Sequence, residues 1–239
     1  MYITTNGSKY SGPNNFDWDK YFENKNNAGG VAFTNSDGVI KATRKHLKEN
    51  EGLFGFVFHK VMRDLFQHVR LSPNPAVLEL GAASGFLTRW LIQKFGGYGT
   101  LVDKSKEAFQ AFLKANKGEE KSFSYIKQDI FALNLDQKVF DIICSFGVVE
   151  HFFDKSEIME CHKSHLGKDG YVLIMIPLDT PLTRAFYEIN FELNQGYREL
   201  LTENELKRIA TLAELKIVSS AKSEGYVYDF FGILCTKQG

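Results

Sequence analysis

The most informative segment of this 239-residue chain reads Glu79-Leu80-Gly81-Ala82-Ala83-Ser84-Gly85. It follows Ala76-Val77-Leu78, an apolar run that predicts a buried strand, and it precedes residues 86–95, where apolar side chains recur at helical spacing. The order is therefore strand, carboxylate, glycine-rich turn and helix. Such a turn lets a ligand come close to the backbone and points free amides at it. A carboxylate before the glycines suits a ligand that carries a cationic group.

Strands and helices alternate along the chain after residue 76. Because the connections between the strands are long enough to hold a helix, they imply parallel pairing. Thr180-Pro181 and the Thr202–Glu205 capping box open two further helices. The predicted strands are 76–80, 98–103, 123–127, 139–145, 170–176, 215–219 and 227–236, the last two as an antiparallel pair, and the predicted helices include about 86–95, 105–116 and 155–166.

The N-terminal part differs in composition from the rest, and we expect residues 1–70 to form a lid and helices beside a domain at 71–239, within one compact unit. Residues 1–38 are rich in Asn, Gly and Ser, which favours a loop or lid. A polar helix is predicted over 39–50, and a helix with a continuous apolar stripe over 53–69. Five aromatic side chains near the start could form a cage for a substrate cation or pin the lid to the core: Phe16, Trp18, Tyr21, Phe22 and Phe33.

The overall composition is that of a globular protein without a basic surplus. Lys and Arg together number 29, as do Asp and Glu, so no nucleic-acid partner is expected. The first residues show no signal pattern, and the longest apolar run, 171–176, is too short to cross a bilayer. Three cysteines without a CxxC pair favour reduced thiols. We therefore expect a cytoplasmic protein with no membrane association, whose oligomeric state the sequence does not indicate.

Two further carboxylates fall at the carboxyl ends of predicted strands. Asp103 ends the strand 98–103, where an acid can accept both hydroxyls of a ribose. Asp129 follows the third strand, where an acid can accept the exocyclic amine of an adenine. A glycine turn with one downstream acid would also fit a dinucleotide site, so a dehydrogenase is an alternative. That alternative leaves Glu79 and the terminal strand pair unexplained.

Taken together, these segments resemble the class I S-adenosylmethionine (SAM) methyltransferases. The resemblance rests on the glycine turn, on Asp103 and Asp129, and on two further segments, Phe140–Phe152 and Leu166–Ile174. It covers residues 76–177 well and the terminal strand pair in outline. It implies an α/β fold with a doubly wound, Rossmann-like seven-stranded sheet of order 3-2-1-4-5-7-6, whose last strand is antiparallel, and an N-terminal helical lid.

The resemblance also implies roles for the glycine turn. Glu79 and Gly81 would hold the methionine end of SAM, and Gly85 would permit close packing at the start of the helix. Ala83 stands where the family often has a second glycine. A methyl group there is tolerable only if φ is negative, so we expect a slightly altered loop.

The remaining cofactor contacts would come from the ends of the next strands. Asp103 would bind the ribose, and the aliphatic stem of Lys104 would cover the adenine. Asp129 and Ile130 would contact the adenine. Three consecutive residues after the fourth strand would line the sulfonium end: Ser145, Phe146 and Gly147.

His151 and Glu150 are the candidate catalytic residues. Histidine titrates near neutrality and could take a proton from a substrate amine or hydroxyl. The family carries a histidine at this place in enzymes with different substrates, so shaping of the pocket is the other interpretation. Both stay open for His151, and Glu150 is a second candidate for proton transfer.

A second cluster, Cys161, His162 and His165, has the residue types of a metal site. Its i, i+3 pair could bind zinc, but no fourth ligand is evident. A solvated helix face is the favoured interpretation, and no metal is expected.

The function that follows is methyl transfer from SAM to a nitrogen or oxygen of a small-molecule acceptor. Residues 14–40, 147–153 and 178–200 would build the acceptor pocket, and Arg184, Tyr187 and Asn190 could face it or belong to a packing helix. One alternative keeps SAM but cyclises it or transfers its aminoalkyl arm, which gives methylthioadenosine. Another is a non-catalytic partner protein with the same fold.

Overall fold

The fold is described by a computed structural model. It describes residues 2–3, 17–27, 32–35, 38–41, 57–115, 120–136, 138–190, 196–223 and 227–238. In chain order, the elements are β1 (Tyr2–Ile3), α1 (Trp18–Asn27), β2 (Ala32–Asn35), β3 (Gly38–Lys41), α2 (57–66), β4 (Ala76–Leu80), α3 (Phe86–Phe95), β5 (Tyr98–Asp103), α4 (Lys106–Ala115), β6 (Phe123–Lys127), β7 (Phe140–Phe146), α5 (Lys155–Ser164), β8 (Leu166–Pro177), α6 (Pro181–Ile189), β9 (Glu199–Leu200), α7 (Glu203–Leu212), β10 (Leu215–Lys222) and β11 (Phe230–Lys237).

Seven strands form one mixed sheet in the order β6-β5-β4-β7-β8-β11-β10. The five strands from β6 to β8 pair in parallel, whereas β11 runs antiparallel to both of its neighbours. Numbered within the sheet, this is the predicted order 3-2-1-4-5-7-6 with an antiparallel last strand. The predicted fold class is therefore confirmed.

The apolar strands are buried because helices cover both faces of the sheet. Successive side chains of a strand point to opposite faces. Accordingly Val77 and Ile142 pack in one core cluster with α2 and α3, while their neighbours Leu78 and Ile143 pack in another with α5 and α7. This is why the strands read as continuous apolar runs rather than as alternating ones.

Several element boundaries differ from the prediction. In the terminal pair, β10 extends to Lys222 instead of residue 219, and β11 begins at Phe230 instead of residue 227. The fifth strand of the domain begins at Leu166 instead of residue 170, because Leu166 pairs with Phe140 before a register shift, and α5 correspondingly ends at Ser164. The helix predicted over 39–50 is wrong at its start, since residues 39–41 belong to β3, which pairs with β2 as a hairpin. β-branched residues at 39 and 40 favour that strand. Residues 42–50 lie outside the described residues.

The glycine turn keeps a left-handed backbone at three positions. φ is +64° at Gly81, +44° at Ala83 and +70° at Gly85. A Cβ on Gly85 would lie 2.8 Å from Leu101 Cδ1, which confirms the expected close packing at the start of α3. The prediction of a negative φ at Ala83 is wrong. Its N–H donates to Asp103 Oδ2 at 3.0 Å, and this bond accompanies the strained conformation.

We expect Ala83→Gly to stabilise the fold and Gly85→Ala to destabilise it. A left-handed non-glycine residue costs about 1–2 kcal/mol, partly offset at residue 83 by the roughly 0.5–1 kcal/mol of chain entropy that glycine loses on folding. Ala83→Gly should therefore raise the free energy of unfolding by up to about 1 kcal/mol. Gly85→Ala should lower it by at least about 1 kcal/mol, since strain and the Leu101 clash add. Urea denaturation measures both, and a destabilised Ala83→Gly variant would contradict the strain assignment.

Candidate functional site

Two adjoining cavities lie where the parallel strands end. Their volumes are about 100 Å³ and about 260 Å³. Their walls contain residues at or just after the ends of β4, β5, β6 and β7, which is the edge at which doubly wound sheets bind ligands. Five residues belong to both walls and so join the cavities into one site: Trp18, Phe22, Gly81, Gly147 and His151.

Asp103 is fixed at the edge of the smaller cavity by two backbone amides. Its Oδ2 accepts from Ala83 N at 3.0 Å, and its Oδ1 accepts from Ser105 N at 2.9 Å. The residue is 8% exposed, and burial raises the pKa of its carboxyl. Each carboxylate oxygen can accept a second hydrogen bond. Each oxygen of Asp103 therefore retains the capacity to accept one further hydrogen bond.

The other wall of the smaller cavity is built after β5 and β6. Lys104, Asp129 and Ile130 all line it. Asp129 Oδ1 accepts from Phe131 N at 3.0 Å, and its Oδ2 lies 3.4 Å from Lys104 Nζ. This pair places the lysine stem along the cavity, next to the residues that were predicted to contact adenine.

Glu79 lines the larger cavity beneath the glycine turn. It is 3% exposed, and its Oε2 accepts from Thr88 N at 3.0 Å in the first turn of α3. Burial raises the pKa of this carboxyl to about 7, against the opposing effect of the Thr88 bonds. A ligand cation in the cavity would favour its ionised form.

Of the three residues predicted to line the sulfonium end, the structure brings two to the cavity. Phe146 and Gly147 line the larger cavity. The prediction is wrong for Ser145, which is fully buried and whose hydroxyl lies 2.8 Å from His162 Nε2. Side chains alternate along β7, so Ser145 points to the face covered by α5, away from Phe146.

The same contact corrects the interpretation of the Cys161, His162 and His165 cluster. His162 is completely buried instead of solvated, and its Nδ1 lies 2.8 Å from Ile158 O. Burial lowers the pKa of His162 to about 4. Within the described ranges, no group of three or more His, Cys, Asp or Glu side chains is arranged to hold a metal ion. The described helices likewise include none long and apolar enough to cross a membrane.

His151 has hydrogen-bond partners at both ring nitrogens. Nδ1 lies 2.8 Å from Tyr197 O, and because a carbonyl oxygen only accepts, Nδ1 carries the hydrogen. Nε2 is then the acceptor, and Arg198 Nη2 donates to it at 3.3 Å. Burial and the Arg198 charge hold the pKa of His151 well below its usual range. His151 is thus a neutral imidazole whose lone pair faces a guanidinium.

Glu150 is the second buried carboxylate of the larger cavity. It is 1% exposed, and its Oε1 lies 3.9 Å from His151 Nε2. Its Oε2 has no hydrogen-bond partner among the residues that the structure describes. Burial raises the pKa of this carboxyl to about 7, and Arg198 opposes the shift. An unpaired buried acceptor in a cavity wall is costly unless a ligand supplies the donor.

Arg198 is a site residue that the sequence did not indicate. It is 3% exposed, lines the larger cavity, and places its guanidinium 4.1 Å from the ring centre of Tyr187. Tyr187 lines the same cavity and also packs in a buried cluster. Arg184 pairs with Asp179, and Asn190 bonds Phe186 O. Among the sequence predictions, Arg198 was included only in the wide range 178–200 that was expected to help build the acceptor pocket.

The segment that carries Arg198 is held by a buried polar network. Glu199 Oε2 lies 2.8 Å from Lys155 Nζ on α5 and accepts from the Tyr197 hydroxyl at 2.9 Å. Leu201 forms a bridge to Leu178 next to β8. These contacts fix the Tyr197 carbonyl and the Arg198 guanidinium together, and both bind His151.

Helix α1 covers the two cavities. Trp18 and Phe22 line both of them, and the Trp18 ring meets the His151 ring edge-on with centroids 4.9 Å apart. Asp19 Oδ1 accepts from Ser105 Oγ at 2.7 Å and from Lys106 N at 2.6 Å, at the N-terminus of α4. The Ser105 hydrogen bond in particular lowers the pKa of Asp19. The first amides of α4 have no partner within the helix, and a carboxylate such as that of Asp19 stabilises them by accepting their hydrogen bonds.

A family model described as a methyltransferase domain matches residues 36–220. The chain belongs to this family. It is a methyltransferase, and S-adenosyl-L-methionine is its cofactor. Among curated proteins, none matches the chain significantly.

Solved methyltransferase structures share this fold at low sequence identity. Magnesium protoporphyrin IX methyltransferase from Synechocystis PCC 6803 aligns with a TM-score of 0.65 and 14% identity over 92% of this chain and 95% of that one. The 1,6-didemethyltoxoflavin-N1-methyltransferase of Burkholderia thailandensis gives 0.56 and 16%, over 88% and 100%. Phosphoethanolamine N-methyltransferase 2 of Haemonchus contortus gives 0.60 and 13%, over 82% and 58%.

We expect Asp19→Ala to loosen α1 without unfolding the sheet. Loss of a carboxylate cap costs about 0.5–2 kcal/mol, and solvent screening places this exposed group at the lower end. Amide hydrogen exchange in residues 17–27 should therefore accelerate by roughly three- to tenfold. Glu23→Ala, an exposed change on the same helix, is the matched control. Equal exchange in both variants would show that Asp19 does not hold the helix.

Proposed function

We propose that this methyltransferase transfers the SAM methyl group to a nitrogen or oxygen of a small-molecule acceptor. The observation that carries the cofactor half of the proposal is the Asp103 carboxylate, which two backbone amides fix at the edge of a cavity below the glycine turn. Its remaining acceptor sites match the two hydroxyls of a ribose. The residues present fit the cofactor.

In this proposal the adenosine half of the cofactor occupies the smaller cavity. Asp103 accepts the ribose hydroxyls, and Asp129 and Ile130 meet the adenine. The aliphatic stem of Lys104, held by its ion pair with Asp129, covers the ring.

The methionine half would lie in the larger cavity. Glu79 would receive its ammonium group, and the turn from Gly81 through Ala83 to Gly85 would follow its arm. Phe146 and Gly147 would border the sulfonium, which supplies an activated methyl group when the cofactor is bound. Most of the protein's contribution is to position the reactants and exclude water, since the methyl group is already activated.

In this proposal residues 1–70 supply an N-terminal lid and helices to the domain at 71–239, and the acceptor enters beside α1. Support comes from Trp18, Tyr21 and Phe22, which line the larger cavity together with Tyr187 and Arg198. The three cysteines are free, in keeping with the expected cytoplasmic location.

The nucleoside product tests the reaction type. The full chain is incubated with SAM and a metabolite extract, and the products are separated by mass. S-adenosylhomocysteine formed only with extract supports methyl transfer. Methylthioadenosine would support cyclisation or aminoalkyl transfer, and binding of SAM without any product would support a non-catalytic partner.

We expect Asp103→Ala to weaken SAM binding by about 1.5–3 kcal/mol, the range for hydrogen bonds to a charged group, and Asp103→Asn to weaken it less. Titration calorimetry measures the affinity. Asp141→Ala is the matched control, because Asp141 also accepts a backbone amide, from Ala76, but at the opposite edge of the sheet. If both alanine variants bind SAM as the wild type does, the ribose lies elsewhere.

A further inference from the structure

We propose that the larger cavity, beside the methionine half of the cofactor, also takes a planar aromatic acceptor with a neutral O–H or N–H group, and that Glu150 accepts its proton. The inference rests on the proposed function and specifies its acceptor. It identifies Glu150 as the catalytic base and Arg198 as a positioning residue.

The first support is the unpaired oxygen of Glu150. The side chain lines the larger cavity, and Oε2 lacks a hydrogen-bond donor among the described residues although the residue is almost fully buried. Its Oε1 lies 3.5 Å from where a Cβ on Gly147 would stand. Since Gly147 borders both cavities, the carboxylate lies beside the junction at which methyl donor and acceptor would meet.

The second support is that His151 is not available as the base. Its Nδ1–H donates to the Tyr197 carbonyl, and its Nε2 accepts from Arg198. A proton on Nε2 would face the guanidinium at 3.3 Å. Glu150 is therefore the acceptor that the site leaves for a substrate hydrogen.

The third support is the aromatic wall of the cavity, which comes from separate parts of the chain. Trp18 and Tyr21 belong to α1, Tyr187 to α6, and Tyr228 precedes β11. Tyr187 and Tyr228 are neighbours, with ring centroids 6.2 Å apart, and Phe146 closes the wall near the sheet. Such surfaces favour a planar ring by stacking and edge contacts.

The guanidinium of Arg198 already has protein partners in this cavity. It stacks on Tyr187, donates to His151 and is hydrogen bonded to Tyr21. A carboxylate ligand would also approach the buried Glu150, and two like charges in a dry site repel each other. An acceptor with a neutral hydrogen-bond donor is not repelled by the Glu150 carboxylate.

The step balances without a further reactant. A lone pair of the acceptor oxygen or nitrogen forms the bond to the methyl carbon. The carbon–sulfur bond of SAM breaks, its electron pair stays on sulfur, and the sulfonium becomes a neutral thioether. The heteroatom's proton passes to the Glu150 carboxylate, which releases it to solvent after the products leave.

The charge of Glu150 sets the expected pH dependence. Burial raises its pKa to about 7, so the carboxylate becomes the major form as the pH rises above that value, close to the optimum for a base at neutral pH. The titratable and charged groups that face it or act on it are Arg198, His151, Lys155, Tyr187 and Tyr228.

The test measures binding of four probes to the full chain saturated with S-adenosylhomocysteine, by ligand-observed NMR. Phenol and aniline carry the O–H and N–H donors, anisole lacks a donor, and benzoate is the anion. Wild type, Glu150→Gln and Glu150→Leu are compared with Glu203→Gln, which changes a partly exposed acid on α7 outside both cavities. Circular dichroism and calorimetry with S-adenosylhomocysteine establish that each variant folds and binds cofactor.

We expect wild type and Glu203→Gln at about pH 8 to prefer phenol or aniline over anisole by about tenfold, the effect of one hydrogen bond to a charged acceptor. The preference should decline toward about pH 6 as Glu150 becomes protonated. It should not vary with pH in Glu150→Gln and should vanish in Glu150→Leu. If the leucine variant does not fold, the glutamine variant and the pH series decide. Whether phenol or aniline binds better distinguishes oxygen from nitrogen acceptors.

Equal binding of phenol, aniline and anisole to the wild type, or tighter binding of benzoate, would overturn the proposal, as would no binding of any probe. A donor preference that is independent of pH or unchanged in Glu150→Gln would also overturn it. Failure of the proposed function has a different signature, because the protein would then not bind S-adenosylhomocysteine in calorimetry.

Discussion

The carboxylate of Asp103 is the contact on which the site depends, because its two oxygens connect three parts of the chain. Oδ2 takes the amide of Ala83 and so holds the glycine turn against the end of β5. Oδ1 takes the amide of Ser105 at the entrance to α4, and the Ser105 hydroxyl in turn donates to Asp19 on α1. The acid that would bind the ribose therefore also holds the glycine turn, and through Ser105 it is connected to α1, which covers the cavities.

Three buried carboxylates line one pair of cavities. Burial raises the pKa of Glu79, Asp103 and Glu150, because an ionised carboxylate loses hydration there. The Glu79 and Asp103 charges also oppose each other. A ligand that brings positive charge and hydrogen-bond donors relieves all three costs at once. The site is thus electrostatically suited to a cationic ligand, which the sulfonium cofactor of this family is.

The sequence predicted the sheet well because each strand is a short apolar run with a turn residue at its end, and these signals are local. Sequence-based prediction failed where a contact with a residue distant in the chain determines the local conformation. Ala83 becomes left-handed beside an acid twenty residues away, Ser145 turns toward a histidine on α5, and Arg198 enters the cavity through a segment with no pattern of its own. Asp19 is similar, since its partners lie more than 80 residues later. Composition and spacing carry no information about such pairings.

The position of α1 links the two cavities through direct contacts. Trp18 lies against His151, and the adjacent Asp19 holds the N-terminus of α4 through Ser105, which also binds Asp103. Movement of the helix would therefore expose the His151 ring and release the Ser105 hydroxyl together. A ligand bound to Asp103 would favour the docked helix, and by reciprocity the docked helix would favour that ligand. Helix α1 therefore couples the Asp103 network to the aromatic wall of the larger cavity.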